Sequence, residues 1–233
     1  MTYSEAIEKV MIDNGGFASL QFIYKNIEKY RNKTGLTPDN TIQERVQRDD
    51  KFTRIGLGVW ALTQYADGLT SVKSKEEKAE IKHKDAQGML LEIGKNENFS
   101  TYTNDKKWLF NDDKLGDLAT MESVPKFTYP KIIKDSVKFA DVIWFNSRGF
   151  PHTVFEVEHS TDFRGALTKF CELQDFMTNF CCVAPDSRRK KFDKEISKNA
   201  FSAIQHKVSF WNYSEVEKYY DIALAKQRNY FLK

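Results

Sequence analysis

Long apolar runs are missing from this sequence. None approaches the ~18 residues that a membrane-spanning helix needs, and the opening MTYSEAIEKVM has neither the basic flank nor the apolar stretch of a secretory signal. A cytosolic (cytoplasmic) protein is the expectation. Cysteine is scarce as well: Cys171, Cys181 and Cys182 form no CxxC pair, and none is spaced with histidine as zinc ligands are, which favours buried reduced thiols. The histidines, His83, His152, His159 and His206, fall into no HExxH or histidine–metal spacing, and neither G-x-S-x-G nor a phosphate-cradling glycine loop is present. Those absences argue against zincins, serine hydrolases and P-loop enzymes. Charge of one sign is lacking too. The net charge of +3 is the small difference between 36 basic and 33 acidic residues, so any polyanionic partner has to be argued from local clusters.

What is present is enough apolar surface for a real core. With 233 residues, 40% hydrophobic and 14% aromatic, the chain has room for one or two globular domains. In SEAIEKVMIDNGG, Ala6, Ile7, Val10 and Met11 recur at helical spacing, with Ser4 as an N-cap and Gly15-Gly16 as the stop. SLQFIYKNIEKY repeats the pattern through Leu20, Phe22, Ile23, Ile27 and Tyr30. A third helix, TIQERVQRDD, is capped by Asn40 or Thr41; Ile42 and Val46 face inward, and Gln43, Arg45, Gln47 and Arg48 face outward. KFTRIGLGVWALTQY then reads as two strands joined at a glycine-flanked turn. Three short helices followed by a hairpin resemble a winged helix-turn-helix over residues 1–65, in particular the winged modules fused to restriction endonucleases. That resemblance implies that the helix at 41–48 reads base edges in the major groove of double-stranded DNA through Gln43, Arg45, Gln47 and Arg48, while Lys51, Arg54 and the hairpin touch phosphates. Winged helices also dock proteins, and an outward Arg/Gln face is often simply solvated.

Residues 66–84 change character, dense in charge and poor in apolar residues, and read as a charged linker that passes into the first helix of a second domain over 85–233. That domain alternates patterns. DAQGMLLEIGKNE is helical; FSTYT and KWLF are short strands, followed by the two strands of FADVIWFNSRGFPHTVFEVEHST. FRGALTKFCELQDFMTNF places Phe163, Ala166, Leu167, Phe170, Gln174, Met177 and Phe180 on one helical face. FCCVAPD is a buried strand. SRRKKFDKEISKNAFSAIQ is a basic amphipathic helix with Phe192, Ile196, Ala200 and Ile204 inward. KVSFWNY is a strand, and a closing helix starts at Ser214 with Glu217 completing a capping box. The class is α/β, α+β overall, with a mixed central sheet flanked by helices.

The two middle strands carry acids where a core strand should not. Side chains alternate along a strand, so Val154, Glu156 and Glu158 share one face, and the two acidic Cα atoms lie about 6.6 Å apart at ~3.3 Å per residue. Pairing of 138–145 with 152–158 brings Asp141 toward the same region. Three carboxylates there repel one another, and a hard divalent cation with oxygen ligands removes the repulsion. On spacing alone a second reading stands beside this one: Glu156 and Glu158 form the solvent face of an edge strand, and Asp141 merely starts a strand.

ADVIWF followed by VFEVEHST resembles the PD-(D/E)xK nuclease motif, an acid on one strand and Glu-x-Lys or Glu-x-Glu on the next, as in type II restriction endonucleases and related repair enzymes. The resemblance covers 85–233, with MLLEIG as the preceding helix and ALTKFCELQDF as the following one. It implies that Asp141 and Glu156 bind Mg²⁺, with Mn²⁺ able to substitute, that the Val157 carbonyl adds a ligand, and that Glu92 is the helix-borne acid. An ordinary surface glutamate is the competing reading of Glu92. The commonest residue at position 158 of such motifs is lysine; glutamate there acts as a general base or binds a second ion. Lys169, on the next helix, is either solvated or a cation placed near the site. His159 is read as a strand-end residue with a structural hydrogen bond. The implied activity is metal-dependent cleavage of double-stranded DNA by a homodimer, formed at least on DNA, with a companion DNA methyltransferase in a conventional restriction system. Two rivals remain: a DNA-binding regulator whose nuclease motif has decayed, and a repair nuclease that reads DNA structure.

Overall fold

A computed structural model describes residues 1–35, 38–56, 58–66, 75–159 and 162–230, with side chains described throughout except at 56, 75–81 and 227–230. The chain forms two compact units, Met1–Lys78 and Ala79–Phe231.

In the first unit, α1 (Tyr3–Asp13), α2 (Leu20–Asn26) and α3 (Pro38–Arg48) surround Ile7, Ile23, Ile27, Ile42 and Val46, all fully buried. The α1 cap is Thr2 rather than Ser4: Glu5 N–H donates to the Thr2 hydroxyl, and the Glu5 carboxylate accepts from Thr2 N–H at 2.8 Å. Ser4 donates instead to the Asp49 carboxylate. Helix α3 starts two residues before the expected Asn40, at Pro38, whose fixed φ suits a first helical turn. The hairpin of β2 (Phe52–Gly56) and β3 (Val59–Leu62) is joined by a strand that the sequence pattern misses, β1 (Phe17–Ser19), giving the antiparallel order β1-β3-β2. Three residues are too few to show alternation.

The second unit opens with α4 (Lys75–Asn96), so the end of the charged stretch at 66–84 is helical; residues 67–74 of it lie outside the described ones. The sheet that follows has the order β10-β9-β8-β7-β4. Strands β4 (Ser100–Thr103), β7 (Val142–Phe145) and β8 (Pro151–Val157) pair antiparallel, whereas β9 (Asn179–Ala184) and β10 (Val208–Asn212) add in parallel, with β5 (Leu109–Phe110) and β6 (Asp113–Lys114) forming a separate small hairpin. This is an α+β unit around a mixed sheet.

Helices cover both faces of that sheet. On one, α5 (Arg164–Cys171) and α6 (Arg189–Ile196) pack Leu167, Phe170 and Phe192 against Val154, Phe180 and Phe210. On the other, the indole of Trp144 donates to the Leu90 carbonyl of α4 at 2.9 Å. Two glycines permit that approach: a Cβ at Gly94 would lie 2.4 Å from Trp144 Nε1, and one at Gly88 would lie 2.2 Å from Phe110 Cγ.

Several expected helices are shorter than their apolar pattern. The run from Phe163 to Phe180 leaves the helix at Cys171, bonds Leu173, Gln174 and Phe176 N–H groups to carbonyls three residues back, and leaves Met177 fully exposed. Phe180 is already in β9, because parallel pairing beside β8 outweighs the local helical period. The helix expected from Ser187 through Gln205 stops at Ile196, with Ala200 exposed and Phe201 buried in its place. The closing helix α7 (Tyr213–Tyr230) is boxed by Asn212 and Glu215, each N–H bonding the other's side chain at 2.7 and 2.9 Å, rather than by Ser214 and Glu217. All three cysteines are free thiols; Cys181 and Cys182 are buried and Cys171 is half-buried. Among the described residues no helix is long and apolar enough to cross a membrane.

Candidate active site

The acids gather at the C-terminal end of β8, beside the turn that precedes β7. Asp141 sits one residue before β7, in a turn fastened from two sides. On the β4 side, Tyr102 OH donates to the Lys138 carbonyl at 2.8 Å, Thr103 OH to the Asp141 carbonyl at 2.8 Å, and Asn104 to the Phe139 carbonyl at 3.3 Å. From α5, Lys169 Nζ reaches the same Phe139 carbonyl at 3.2 Å. Val157 N–H donates to Asp141 Oδ2 at 2.7 Å. In a strand, the N–H and C=O of one residue face the same side, so the Val157 carbonyl also looks toward Asp141.

Glu156 is only 2% exposed, buried on the α5 side between Val154 and the helix. Lys169 Nζ meets its Oε2 at 2.6 Å, while its Oε1 has no hydrogen-bond partner among the described residues. Burial, with the charge of Asp141 added, pushes its carboxyl well above the usual range despite the lysine. Glu158 continues the same face just past β8; its N–H donates to the Val183 carbonyl at 2.7 Å, and its carbonyl accepts from the Arg188 guanidinium at 2.9 Å. Burial and then Asp141 raise its carboxyl to about 7. In both glutamates burial and the neighbouring negative charge disfavour the ionised form.

Sequence reading and structure divide over α4. Glu92 accepts a hydrogen bond from Tyr220 of α7 and lies about 140° around the helix from Gln87, at 100° per residue. The α4 residues beside Asp141 are instead His83, whose Nε2 is 3.7 Å from Asp141 Oδ2, and Gln87, whose amide lies 3.1 Å from the same His83 nitrogen. The sequence carries one signal for them, a polar pair at i and i+4, but it begins inside a stretch that reads as linker. Of the two readings open for Lys169, the structure bears out the cation near the site, with its ammonium at Glu156. His159 makes the expected strand-end hydrogen bond, Nδ1 to Tyr213 OH at 3.3 Å.

The residues expected to face DNA are in the first unit. Arg45, Gln47 and Arg48 are exposed on α3, and Gln43 is half-buried. Arg48 pairs with Glu44 at 2.6 Å, Lys51 with Glu8 at 2.8 Å, and the Arg54 guanidinium lies 5.9 Å from the Trp60 ring centre.

Comparison with known proteins identifies a chain with this mixed sheet and acid cluster as restriction-enzyme-like. The profile of the type II restriction enzyme NmeDI C-terminal domain matches residues 66–231, and the chain belongs to that family. The type II restriction enzyme NmeDI of Neisseria meningitidis serogroup C is 31% identical over 159 residues, covering 63% of this chain and 44% of that protein. The chain thus spans less than half the length of that relative. No solved structure matches it.

Proposed function

We propose that the chain is a Mg²⁺-dependent endodeoxyribonuclease of the PD-(D/E)xK kind that hydrolyses phosphodiester bonds of double-stranded DNA. The observation that carries the reading is the meeting of Asp141, Glu156, Glu158 and Lys169 at one end of the sheet. Among the described residues no group of three or more His, Cys, Asp or Glu side chains is arranged to encircle a metal. The donors nevertheless fit a hard cation, because Glu156 Oε1 is buried without a partner and both glutamates are pushed up by burial and by Asp141. Asp141, Glu156 and the Val157 carbonyl would hold Mg²⁺ or Mn²⁺, which supplies Lewis acidity toward the phosphate and lowers the pKa of a bound water. Glu92 is too far around α4 to join that set from its bond to Tyr220.

Within this scheme Glu158 takes the proton of the attacking water. A base works only when ionised, so cleavage at saturating Mg²⁺ should rise with pH and then level off. The midpoint should lie at or below the value of about 7 set by burial and Asp141, since a nearby cation favours the ionised form. Glu158→Gln should remove that limb along with most of the rate. A Glu158→Gln enzyme with the full rate and the same pH profile assigns the base elsewhere. Lys169, anchored on Glu156 and the Phe139 carbonyl, orients that carboxylate and contributes positive charge where the phosphate becomes more negative.

The first unit is assigned to DNA recognition as a winged helix. Arg45→Ala and Arg48→Ala should each cost about 1–3 kcal/mol on the preferred sequence if they read bases bidentately, measured by competition binding against scrambled duplex. Equal losses on all sequences reduce them to phosphate contacts, and no loss moves recognition to the second unit. Cutting both strands in one event needs two copies of the single acid set, so the working form on DNA is a homodimer. Tyr219 on α7, 45% exposed and stacked on Trp211, is an aromatic that such an interface could use. Sedimentation of the protein–DNA complex should give two chains per duplex; a one-chain complex that accumulates nicked circles rejects the dimer.

A further inference from the structure

A cavity of about 490 Å³ opens beside Asp141, between α4 and the segment after β4. Its rim carries Lys84, Lys106 and Lys107 against two carboxylates, Asp105 and Asp141. Lys84 is paired with Asp105, so among the lining residues Lys106 and Lys107 outnumber the one remaining acid, Asp141. Lys106 donates to the neutral Glu122 carbonyl at 2.6 Å, and Lys106 and Lys107 are both exposed. Gln87, 2% exposed, also lines the cavity, and its Oε1 finds no hydrogen-bond partner among the described residues.

We infer that this cavity is a subsite for a phosphate group of the DNA backbone, one flanking the bond that is cut. A phosphate answers this basic lining. Its oxygens would accept from Lys107 and from the Lys106 hydrogens not given to the Glu122 carbonyl. The inference rests on the nuclease reading for its place next to the reacting bond, but not for the binding itself. Lysines meeting a phosphate act as point charges, so the expected signature is electrostatic and independent of sequence.

Binding of the full chain to a mixed-sequence 30-base-pair duplex, followed by fluorescence anisotropy in EDTA from 50 to 200 mM salt, tests this without any cleavage. Each phosphate contact contributes about 0.9 to the slope of log affinity against log salt. Lys107→Ala should lower the slope magnitude by about 0.9, and Lys106→Ala/Lys107→Ala by about twice that. Lys107→Arg should restore it. Lys95→Ala, exposed on the same helix roughly 18 Å along its axis from His83 at 1.5 Å per residue, should leave it unchanged. Slopes unmoved in the single and double variants overturn the subsite. A cavity that takes only free phosphate, seen as a Lys107-dependent rise in melting temperature with inorganic phosphate over ionic-strength-matched chloride and no change in DNA slope, overturns it as well. If the slopes fall as expected while no duplex is ever cut, the subsite stands and the nuclease reading fails.

Discussion

Asp141→Asn and Glu156→Gln should each lower DNA cleavage by more than about 10³-fold, beyond the 10²–10³ that a single electrostatic donor usually contributes. Duplex binding in EDTA should be nearly unchanged. Amides are the informative replacements here. The asparagine side chain can still accept the Val157 N–H bond that ties β8 to the turn before β7, and the glutamine keeps the volume of a side chain buried among apolar neighbours. A second readout separates a lost metal from a lost fold. An ion that binds only the folded chain stabilises it by RT ln(1 + [L]/Kd), about 2.7 kcal/mol at one hundred times Kd, so Mg²⁺ should raise the melting temperature of the wild type and of neither variant. Undiminished cleavage in both variants rejects the nuclease reading outright.

Gly94→Ala should destabilise the second unit by about 1–3 kcal/mol, the usual range for an overpacked core, and Gly88→Ala should do the same. The sign is the test. Alanine in place of a mid-helix glycine normally stabilises by up to about 1 kcal/mol. At these two positions the new methyl meets the Trp144 indole and the root of the Phe110 side chain, and the Trp144 bond to Leu90 prevents the ring from simply moving aside. Gly165, on the exposed side of α5, has nothing within 4 Å of where its Cβ would lie, so Gly165→Ala should stabilise. Urea unfolding of the three variants checks both directions at once; stabilisation by Gly94→Ala would show that α4 does not pack on the sheet this closely.

The parts of the fold legible in the sequence are those with a strong period. Alternation places Glu156 and Glu158 on one face of β8, and helical spacing places Ile42 and Val46 in the first core. What escapes is set by tertiary contacts. Residues 163–180 carry a convincing helical period, yet Phe180 belongs to a strand, because the sheet needs a parallel neighbour for β8 and a helix of that length would leave none. The acids Asp141, Glu156 and Glu158 stand out because carboxylates in apolar strands are conspicuous. His83 and Gln87 do not, since polar residues in a charged segment look ordinary until the fold sets them against Asp141. Glu92 attracts attention by being acidic and in a helix, but only the helix phase, fixed by Gly94 and Leu90 against Trp144 of the sheet and by Gly88 against Phe110, decides which side chains of α4 reach the acids.

Lys169 comes from a different element than Glu156, so the buried acid is given a counterion by the chain itself. Its ammonium is tethered to the same fold as the carboxylate it holds, at a high effective concentration. Because Lys169 occupies Oε2, a divalent ion taken by Oε1, as proposed above, would share the carboxylate with the lysine and not replace it. The contrast is with structural zinc sites, where the free energy of binding is the free energy of folding and the apo chain is unfolded. Here the chain supplies its own counterion to the buried acid, so on the proposed metal reading loss of the ion need not mean loss of the fold.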